Sequence, residues 1–175
     1  MKRLHVIGGK NHGKTTLVTD LIAEFVRLGL TVGTIKHTHH HHELDVPGKD
    51  FYRHRIAGAA AVGILSPQLS AIFLPTQNAK GEDSHDRYAE FAPLFTHCQL
   101  VLVEGDSQAR APKVEVWRAE MGTEPIAASD PYLLALVTDD LPPVSVERMR
   151  RSDVPALASW LLERLDLQNQ SFSSS

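Results

Sequence analysis

Short apolar runs and longer amphipathic segments alternate along the chain. Residues 4–7 form an apolar run bounded by glycine, which is typical of a buried strand. Residues 17–28 then place apolar side chains at helical spacing, and Gly29 predicts the end of that helix. Residues 31–35 read as a second strand, so the N-terminal part predicts a right-handed βαβ unit with parallel strands.

The rest of the chain continues this alternation. Asp50 is predicted to be the N-cap of a short helix that ends near Gly58. The remaining predicted elements are strands at 60–65 and 69–74, a helix at 86–95, strands at 100–103, 114–117 and 133–137, and a helix at 154–165. The pattern predicts an α/β fold of the P-loop NTPase type, with a doubly wound and mostly parallel sheet.

Length, charge and cysteine content limit the classes of protein. The 175 residues predict a single domain over residues 1–167, followed by a disordered polar tail at 168–175. The net charge of −3 disfavours broad binding to nucleic acid or to an anionic membrane. Cys98 is the single cysteine, so neither an intrachain disulfide nor a Cys-rich metal site is predicted. No signal-peptide core or membrane-spanning run is present, and we expect a cytoplasmic location.

The segment after the first strand matches the phosphate-binding pattern G-x-x-x-x-G-K-[ST]. Glycines let successive N–H groups turn toward phosphate oxygens, and the following helix adds its positive end. Lys14 is the predicted catalytic cation at the β and γ phosphates, and the Thr15 hydroxyl is suited to Mg²⁺. The position between a buried strand and an amphipathic helix favours this function over a chance glycine-rich turn. The predicted nucleotide-binding residues of the loop are Gly8, Gly9, Lys10, Asn11, His12, Gly13, Lys14, Thr15 and Thr16.

A second motif lies at the end of the strongest apolar run. Residues 100–103 are followed by Glu104 and Gly105, as in a Walker B strand. Glu104 is therefore predicted to be a catalytic and metal-binding residue near the phosphates. The alternative is that Glu104 only caps a loop after a core strand.

Six histidines occur between positions 37 and 54. Imidazole binds Ni²⁺ and Zn²⁺ well, so a metallochaperone GTPase is an alternative function. Otherwise these histidines are solvated or contact anionic groups. Asp45, in the same loop, is a predicted Mg²⁺ ligand, whereas Asp50 has the helix-cap explanation as well.

Further short motifs accompany the phosphate loop. They are Ile35-Lys36-His37-Thr38-His39-His40, Asp45, Pro47-Gly48-Lys49-Asp50, Arg53-His54-Arg55, Ala57-Gly58-Ala59, Leu102-Val103-Glu104-Gly105 and Pro112-Lys113-Val114-Glu115-Val116. Together with the loop they resemble the MobB family, small proteins of molybdenum-cofactor maturation. The resemblance extends from the first strand to about Thr138, and the Lys-His-Thr-His-His string after a P-loop βαβ unit makes it specific.

The resemblance implies a GTP- and Mg²⁺-binding homodimer with weak GTPase activity. Such a protein would serve as an adaptor in making molybdopterin guanine dinucleotide, with the guanylyltransferase enzyme as partner and molybdopterin as a further ligand. Glu104 and Gly105 would sense the γ phosphate. The residues implied at the mouth of the site are Lys36, His37, His39, Asp45, Lys49 and Asp50.

The chain departs from the family's pattern in three places. Gln99 stands where relatives usually carry Asp. Asp106-Ser107 replaces an aromatic residue and a lysine, which puts a negative charge in place of a positive one beside the predicted phosphate site. Gly9 stands where many dimeric P-loop proteins carry a lysine, so a lysine acting across a dimer interface is not predicted.

Selectivity for guanine has the weakest basis in the sequence. Asp139 follows a late strand, where a carboxylate can accept hydrogen bonds from guanine N1–H and N2–H. The Asn/Thr-Lys-x-Asp signature is missing, so Asp139 is equally well an ordinary loop acid. A small-molecule kinase is a third hypothesis, but it needs a lid with arginines, for which Arg87 and Arg110 are poor evidence.

Overall fold

The computed structural model describes residues 1–38, 48–74 and 87–167. The chain divides into two compact units, of which Met1–Thr38 with Arg87–Ser175 form the first and His39–Asp86 the second. The single domain predicted over residues 1–167 stays a prediction, and the predicted tail at 168–175 lies outside the described residues. Within the described ranges, no helix is both long and apolar enough to cross a bilayer.

Six strands of the first unit form one parallel sheet in the order β2-β5-β1-β6-β7-β8, and the second unit contains an antiparallel hairpin of β3 and β4. The predicted parallel α/β architecture is therefore confirmed. The strands are β1 (Arg3–Ile7), β2 (Val32–Lys36), β3 (Val62–Leu65), β4 (Ser70–Phe73), β5 (Leu100–Glu104), β6 (Lys113–Val116), β7 (Leu133–Val137) and β8 (Arg148–Met149).

One face of the parallel sheet packs against two helices, α1 (Lys14–Arg27) and α3 (Val154–Arg164). Alternate strand residues point to this face, and apolar helix residues recur every three or four positions to meet them. The buried core on this face includes Leu4, Val6, Leu17, Leu21, Phe25, Leu100, Leu102, Val114, Leu157 and Leu161.

The opposite face of the sheet has a smaller apolar cluster, in which Tyr88 packs with Val101 and Val103. Tyr88 belongs to a 3₁₀ helix at Arg87–Phe95, where an ordinary helix was predicted. Pro93 lies inside this segment, and its missing N–H and bulky ring disfavour α-helical hydrogen bonding. A second, short 3₁₀ helix spans Ala119–Met121.

The second unit contains α2 (Asp50–Ile56) and the hairpin of β3 and β4, which lie within the strands predicted at 60–65 and 69–74. Within it, the rings of Phe51 and Phe73 stack with centroids 5.7 Å apart. The prediction that Asp50 is the N-cap is wrong by one residue. Lys49 is the N-cap, with extended backbone and no side-chain hydrogen bond, and Asp50 is the first helical residue.

Candidate nucleotide-binding site

The predicted phosphate loop connects the end of β1 to the start of α1. Its conformation requires glycine, since Gly8 has φ of 143° and Gly13 has φ of 97°. A Cβ atom at Gly8 would also lie 2.4 Å from the carbonyl oxygen of Val116 in β6. The loop thus begins in direct contact with the neighbouring parallel strand.

Lys14 extends from the first turn of α1 back over this loop. Its Nζ donates hydrogen bonds to the carbonyl oxygens of Gly8, at 3.0 Å, and Gly9, at 2.7 Å. Partial burial lowers the pKa of Lys14, the Glu104 carboxylate opposes this shift, and Lys36 adds to it. The Lys14 ammonium therefore lies across the loop, where it can contact an anion bound by the loop N–H groups.

Thr15 and Glu104 meet at the carboxyl edge of the sheet, as predicted from the two motifs. The Thr15 hydroxyl donates to Glu104 Oε1 over 2.9 Å, and Lys36 Nζ lies 3.7 Å from the same oxygen. A hydroxyl and a carboxylate are hard oxygen ligands, and Mg²⁺ commonly takes only one or two protein ligands beside phosphates and water. These two side chains fit that donor set. The described residues contain no group of three or more His, Cys, Asp or Glu placed to hold a metal ion.

His12 is buried inside the phosphate loop. Its Nδ1 accepts a hydrogen bond from the Arg118 N–H, and its Nε2 lies 3.0 Å from the Thr123 hydroxyl oxygen. Because Nδ1 is an acceptor here, the proton of the neutral ring is on Nε2 and is donated to Thr123. Burial, helped by the nearby charges of Lys14 and Arg118, lowers the pKa of His12.

Three side chains bind the three successive residues that follow Glu104. His5 Nδ1 lies 3.3 Å from the Gly105 carbonyl oxygen, and the Tyr88 hydroxyl donates to the Asp106 carboxylate over 2.7 Å. Lys113 Nζ donates to the Ser107 carbonyl oxygen over 2.8 Å. We call this arrangement, formed by His5, Tyr88 and Lys113 around residues 105–107, the loop clamp.

The loop clamp explains one departure from the family's pattern. Asp106 has a positive φ of 60°, and its carboxylate is bound by Tyr88. The Gly105 N–H donates to the Val6 carbonyl oxygen over 2.9 Å, so it extends the pairing of β5 with β1. The resemblance implies that Gly105 senses the γ phosphate, and sensing through this N–H would require that hydrogen bond to open.

Asp139 follows β7 at the same edge of the sheet. Its Oδ1 accepts hydrogen bonds from the Ser152 hydroxyl and N–H, at 2.8 and 3.1 Å. These bonds to Ser152 lower the pKa of Asp139. The next residue, Asp140, accepts from the Ala119 N–H over 2.8 Å.

The other predicted site residues fall into three groups. The side chains of Lys10, Asn11 and Thr16 are exposed on the phosphate loop and the start of α1. His37 follows β2 and donates its N–H to the Glu104 carbonyl oxygen. Lys49 and Asp50 are exposed in the second unit, whereas His39 and Asp45 lie outside the described residues.

Several residues around the site were not predicted from the sequence. Arg118 and Thr123 bind the His12 ring, and Tyr88 and Lys113 hold the loop after Glu104. Lys113 belongs to one of the motifs of the resemblance, which gave it no role, and the other three residues belong to none of the predicted motifs. Lys113 gave one usable signal, because a lysine beginning an apolar strand has to find a partner, and it pairs with Asp130 at 2.5 Å.

The parallel sheet, the glycine-rich loop between β1 and α1, and the pairing of Thr15 with Glu104 define a P-loop nucleotide-binding fold. The family model described as molybdopterin guanine dinucleotide synthesis protein B, MobB, matches residues 3–139. The chain belongs to the MobB family.

Individual relatives agree with this assignment. The chain is 33% identical over 160 residues to the molybdopterin-guanine dinucleotide biosynthesis adapter protein of Haemophilus influenzae, covering 90% of this chain and 86% of the relative. The protein of the same name from Escherichia coli is 32% identical, with 90% and 89% covered. The crystal structure of a MobB homolog from Bacillus stearothermophilus aligns with a TM-score of 0.63 at 28% identity, over 95% of this chain and 99% of that one.

His5 generates a testable pH dependence of stability. Burial lowers its pKa from 6.5 to about 4 in the folded protein, although the Gly105 carbonyl and Asp106 oppose the shift. The unfolded chain therefore takes up this proton first as the pH falls, and folding stability decreases between about pH 6.5 and pH 4. The pKa difference corresponds to roughly 3 kcal/mol for a group that is fully buried.

Urea unfolding between pH 7 and pH 4.5 measures this effect. The His5→Asn variant, which retains a side-chain N–H for Gly105, should show a smaller decrease in unfolding free energy than the natural protein, because only the contribution of His12, whose pKa is also lowered, remains. His97→Asn, at an exposed histidine, should keep the decrease seen in the natural protein. An unchanged decrease in His5→Asn would show that His5 is not the buried neutral group described here.

Proposed function

We propose that this protein is a cytoplasmic GTP-binding adapter with slow GTPase activity in the synthesis of molybdopterin guanine dinucleotide. The observation that carries this proposal is the site formed by Lys14 over the phosphate loop and Thr15 bonded to Glu104. The relatives from Haemophilus influenzae and Escherichia coli carry the adapter name, which supports the pathway. The metallochaperone alternative finds no support among them.

The nucleotide phosphates are bound by the N–H groups of the loop and by Lys14. Its ammonium exchanges the carbonyl oxygens of Gly8 and Gly9 for phosphate oxygens, which is a stronger, charge-assisted contact. Thr15 and Glu104 are the residues that would hold Mg²⁺, whose role is to neutralise the β and γ oxygens. Asp45 stays a predicted ligand outside the described residues.

Slow hydrolysis is expected from the contacts that Glu104 makes with its described neighbours. The Glu104 carboxylate accepts from Thr15 and lies near Lys36, so it is engaged in holding the site together. Attack of water in line with the γ phosphate then relies on positioning and on the charge of Lys14. Since the described residues around Glu104 include no dedicated general base, we expect turnover far below that of a typical enzyme.

Guanine recognition is assigned to Asp139. Support comes from its exposed position after β7, at the edge of the sheet that carries the phosphate loop. Its Oδ1 already accepts two hydrogen bonds from Ser152, which leaves Oδ2 to face a base. The bonds to Ser152 also hold the carboxylate in a fixed orientation.

A homodimer and two further partners complete the proposal. In the second unit, the hairpin exposes Leu65 by 88%, Leu69 by 78% and Ile72 by 50%, which favours contact with another protein surface. The enzyme that joins molybdopterin to GMP is the proposed partner, and molybdopterin the proposed further ligand. Residues Lys36, His37, His39, Lys49 and Asp50 are proposed for the mouth of the site.

Replacing Lys14 by alanine should weaken GTP binding by about 3 kcal/mol, or more than a hundredfold in Kd, because a charge-assisted contact is lost. Isothermal titration calorimetry measures the change. The control is Arg27→Ala, which removes a charge from an exposed ion pair with Glu24 on the same helix and should bind normally. Natural affinity in Lys14→Ala would refute the phosphate site.

Replacing Glu104 by glutamine keeps the side-chain shape and removes its charge. We expect about a tenfold loss of GTP affinity in Mg²⁺ and little change in EDTA, since the lost group binds the metal rather than the phosphates. Glu24→Gln on α1 is the matched control. If Mg²⁺ strengthens binding equally in both variants, Glu104 is not a metal ligand.

The adapter role is tested with the partner enzyme. Adding the full chain with GTP and Mg²⁺ to a purified molybdopterin guanylyltransferase should increase the rate of dinucleotide formation, and Lys14→Ala should not. The rate is measured by chromatography of the product. No increase with the natural chain, under conditions where it binds GTP, would contradict the adapter function and leave nucleotide binding intact.

A further inference from the structure

His12 occupies an unusual place for an imidazole, within a loop that otherwise depends on glycine. The residue is only 2% exposed, although the flanking Asn11 side chain is exposed. Nothing in the phosphate-binding pattern requires histidine at this position, since the pattern leaves it unspecified. Its burial therefore needs a separate physical explanation.

Both ring nitrogens of His12 are used within the protein. Nδ1 accepts from the Arg118 N–H and Nε2 donates to the Thr123 hydroxyl, each over 3.0 Å. Neither nitrogen is left to contact a phosphate, so the ring is not a ligand. The ring instead satisfies one donor and one acceptor of segment 118–123, as a neutral imidazole can.

The same ring supports the start of the phosphate loop. A Cβ atom at Gly9 would lie 2.7 Å from ring Cδ2 and 2.8 Å from Nε2, so the backbone of Gly9 rests directly on the imidazole. The Gly9 carbonyl in turn accepts from Lys14. The ring thus contacts the same loop residue whose carbonyl oxygen Lys14 binds.

Segment 118–123 is itself well anchored. Trp117 donates its N–H to the Val137 carbonyl over 3.2 Å and its Nε1–H to the Thr123 carbonyl over 2.7 Å. Near the start of the segment, the Ala119 N–H donates to Asp140. An anchored segment can hold the loop in place, whereas a free one could not.

We propose that His12 is a positioning residue that ties the phosphate loop to segment 118–123 and holds the loop in its phosphate-binding conformation. This inference rests on the proposed nucleotide-binding function and adds a residue to it. Because the ring supports the backbone that would bind the phosphates, its loss should lower the affinity for all phosphate-containing ligands by a similar factor. Discrimination between bases should not change.

Calorimetric titrations with GTP and with inorganic pyrophosphate, both in Mg²⁺, test the proposal. His12→Ala should lower the affinity for both ligands more than tenfold. Thr123 is exposed, so its replacement by alanine does not threaten folding. Thr123→Ala should lower the affinity for both ligands about fivefold, because one hydrogen bond to His12 is lost. The double variant should bind like His12→Ala, because the two residues act through one contact.

Two exposed residues provide matched controls. His97→Ala and Ser129→Ala should bind both ligands as the natural protein does. Natural affinity for GTP and pyrophosphate in folded His12→Ala and Thr123→Ala would overturn the inference and leave the proposed function standing. Strictly additive losses, or a loss confined to GTP, would also overturn it. Failure of the folded natural chain to bind either ligand would instead refute the proposed function.

Discussion

Parallel pairing of β1 with β5 and β6 is the constraint on which the rest of the site depends. In a parallel sheet every strand ends at the same edge, so the loops that follow neighbouring strands lie side by side. Short side chains on these loops can therefore reach one another. Register places Val6 opposite Glu104 and Ile7 opposite Glu115. The phosphate loop therefore begins beside the Walker B carboxylate, and a hydroxyl one residue after Lys14 reaches it.

The face of the sheet opposite the helices has an unusual composition, since it buries His5, Lys113 and Glu115. Buried polar groups are costly unless they are hydrogen-bonded. His5 and Lys113 bind carbonyl groups of the loop after β5, and Glu115 accepts from the N–H groups of Ile126 and Ala127. The polar part of the core thus supports the loops after β5 and β6. On the same face, Tyr88 donates its hydroxyl to the Asp106 carboxylate, so the acid that departs from the family's pattern has a partner within the protein.

The sequence predicts most of the fold because the strands are apolar runs between turn residues and α1 has a clear amphipathic period. It also predicts that Lys14, Thr15 and Glu104 belong to one site, since both motifs are local. It does not predict β8, which is a two-residue strand, or the partners of His12, which are over a hundred residues away in the chain. Such long-range contacts leave no periodic signal in the sequence. Asp50 shows a smaller limit, as local cap chemistry left the helix start uncertain by one residue.

The central claim is that this edge of the sheet binds GTP with Mg²⁺. Calorimetric titration of the natural chain with GTP and with ATP, in Mg²⁺ and in EDTA, and repeated with Ni²⁺ or Zn²⁺, tests it most directly. We predict that the chain binds GTP more tightly than ATP. The affinity for GTP should be higher in Mg²⁺ than in EDTA, and Ni²⁺ or Zn²⁺ should not change it. Absence of nucleotide binding, or binding that depends on Ni²⁺ or Zn²⁺ and not on Mg²⁺, would contradict the account.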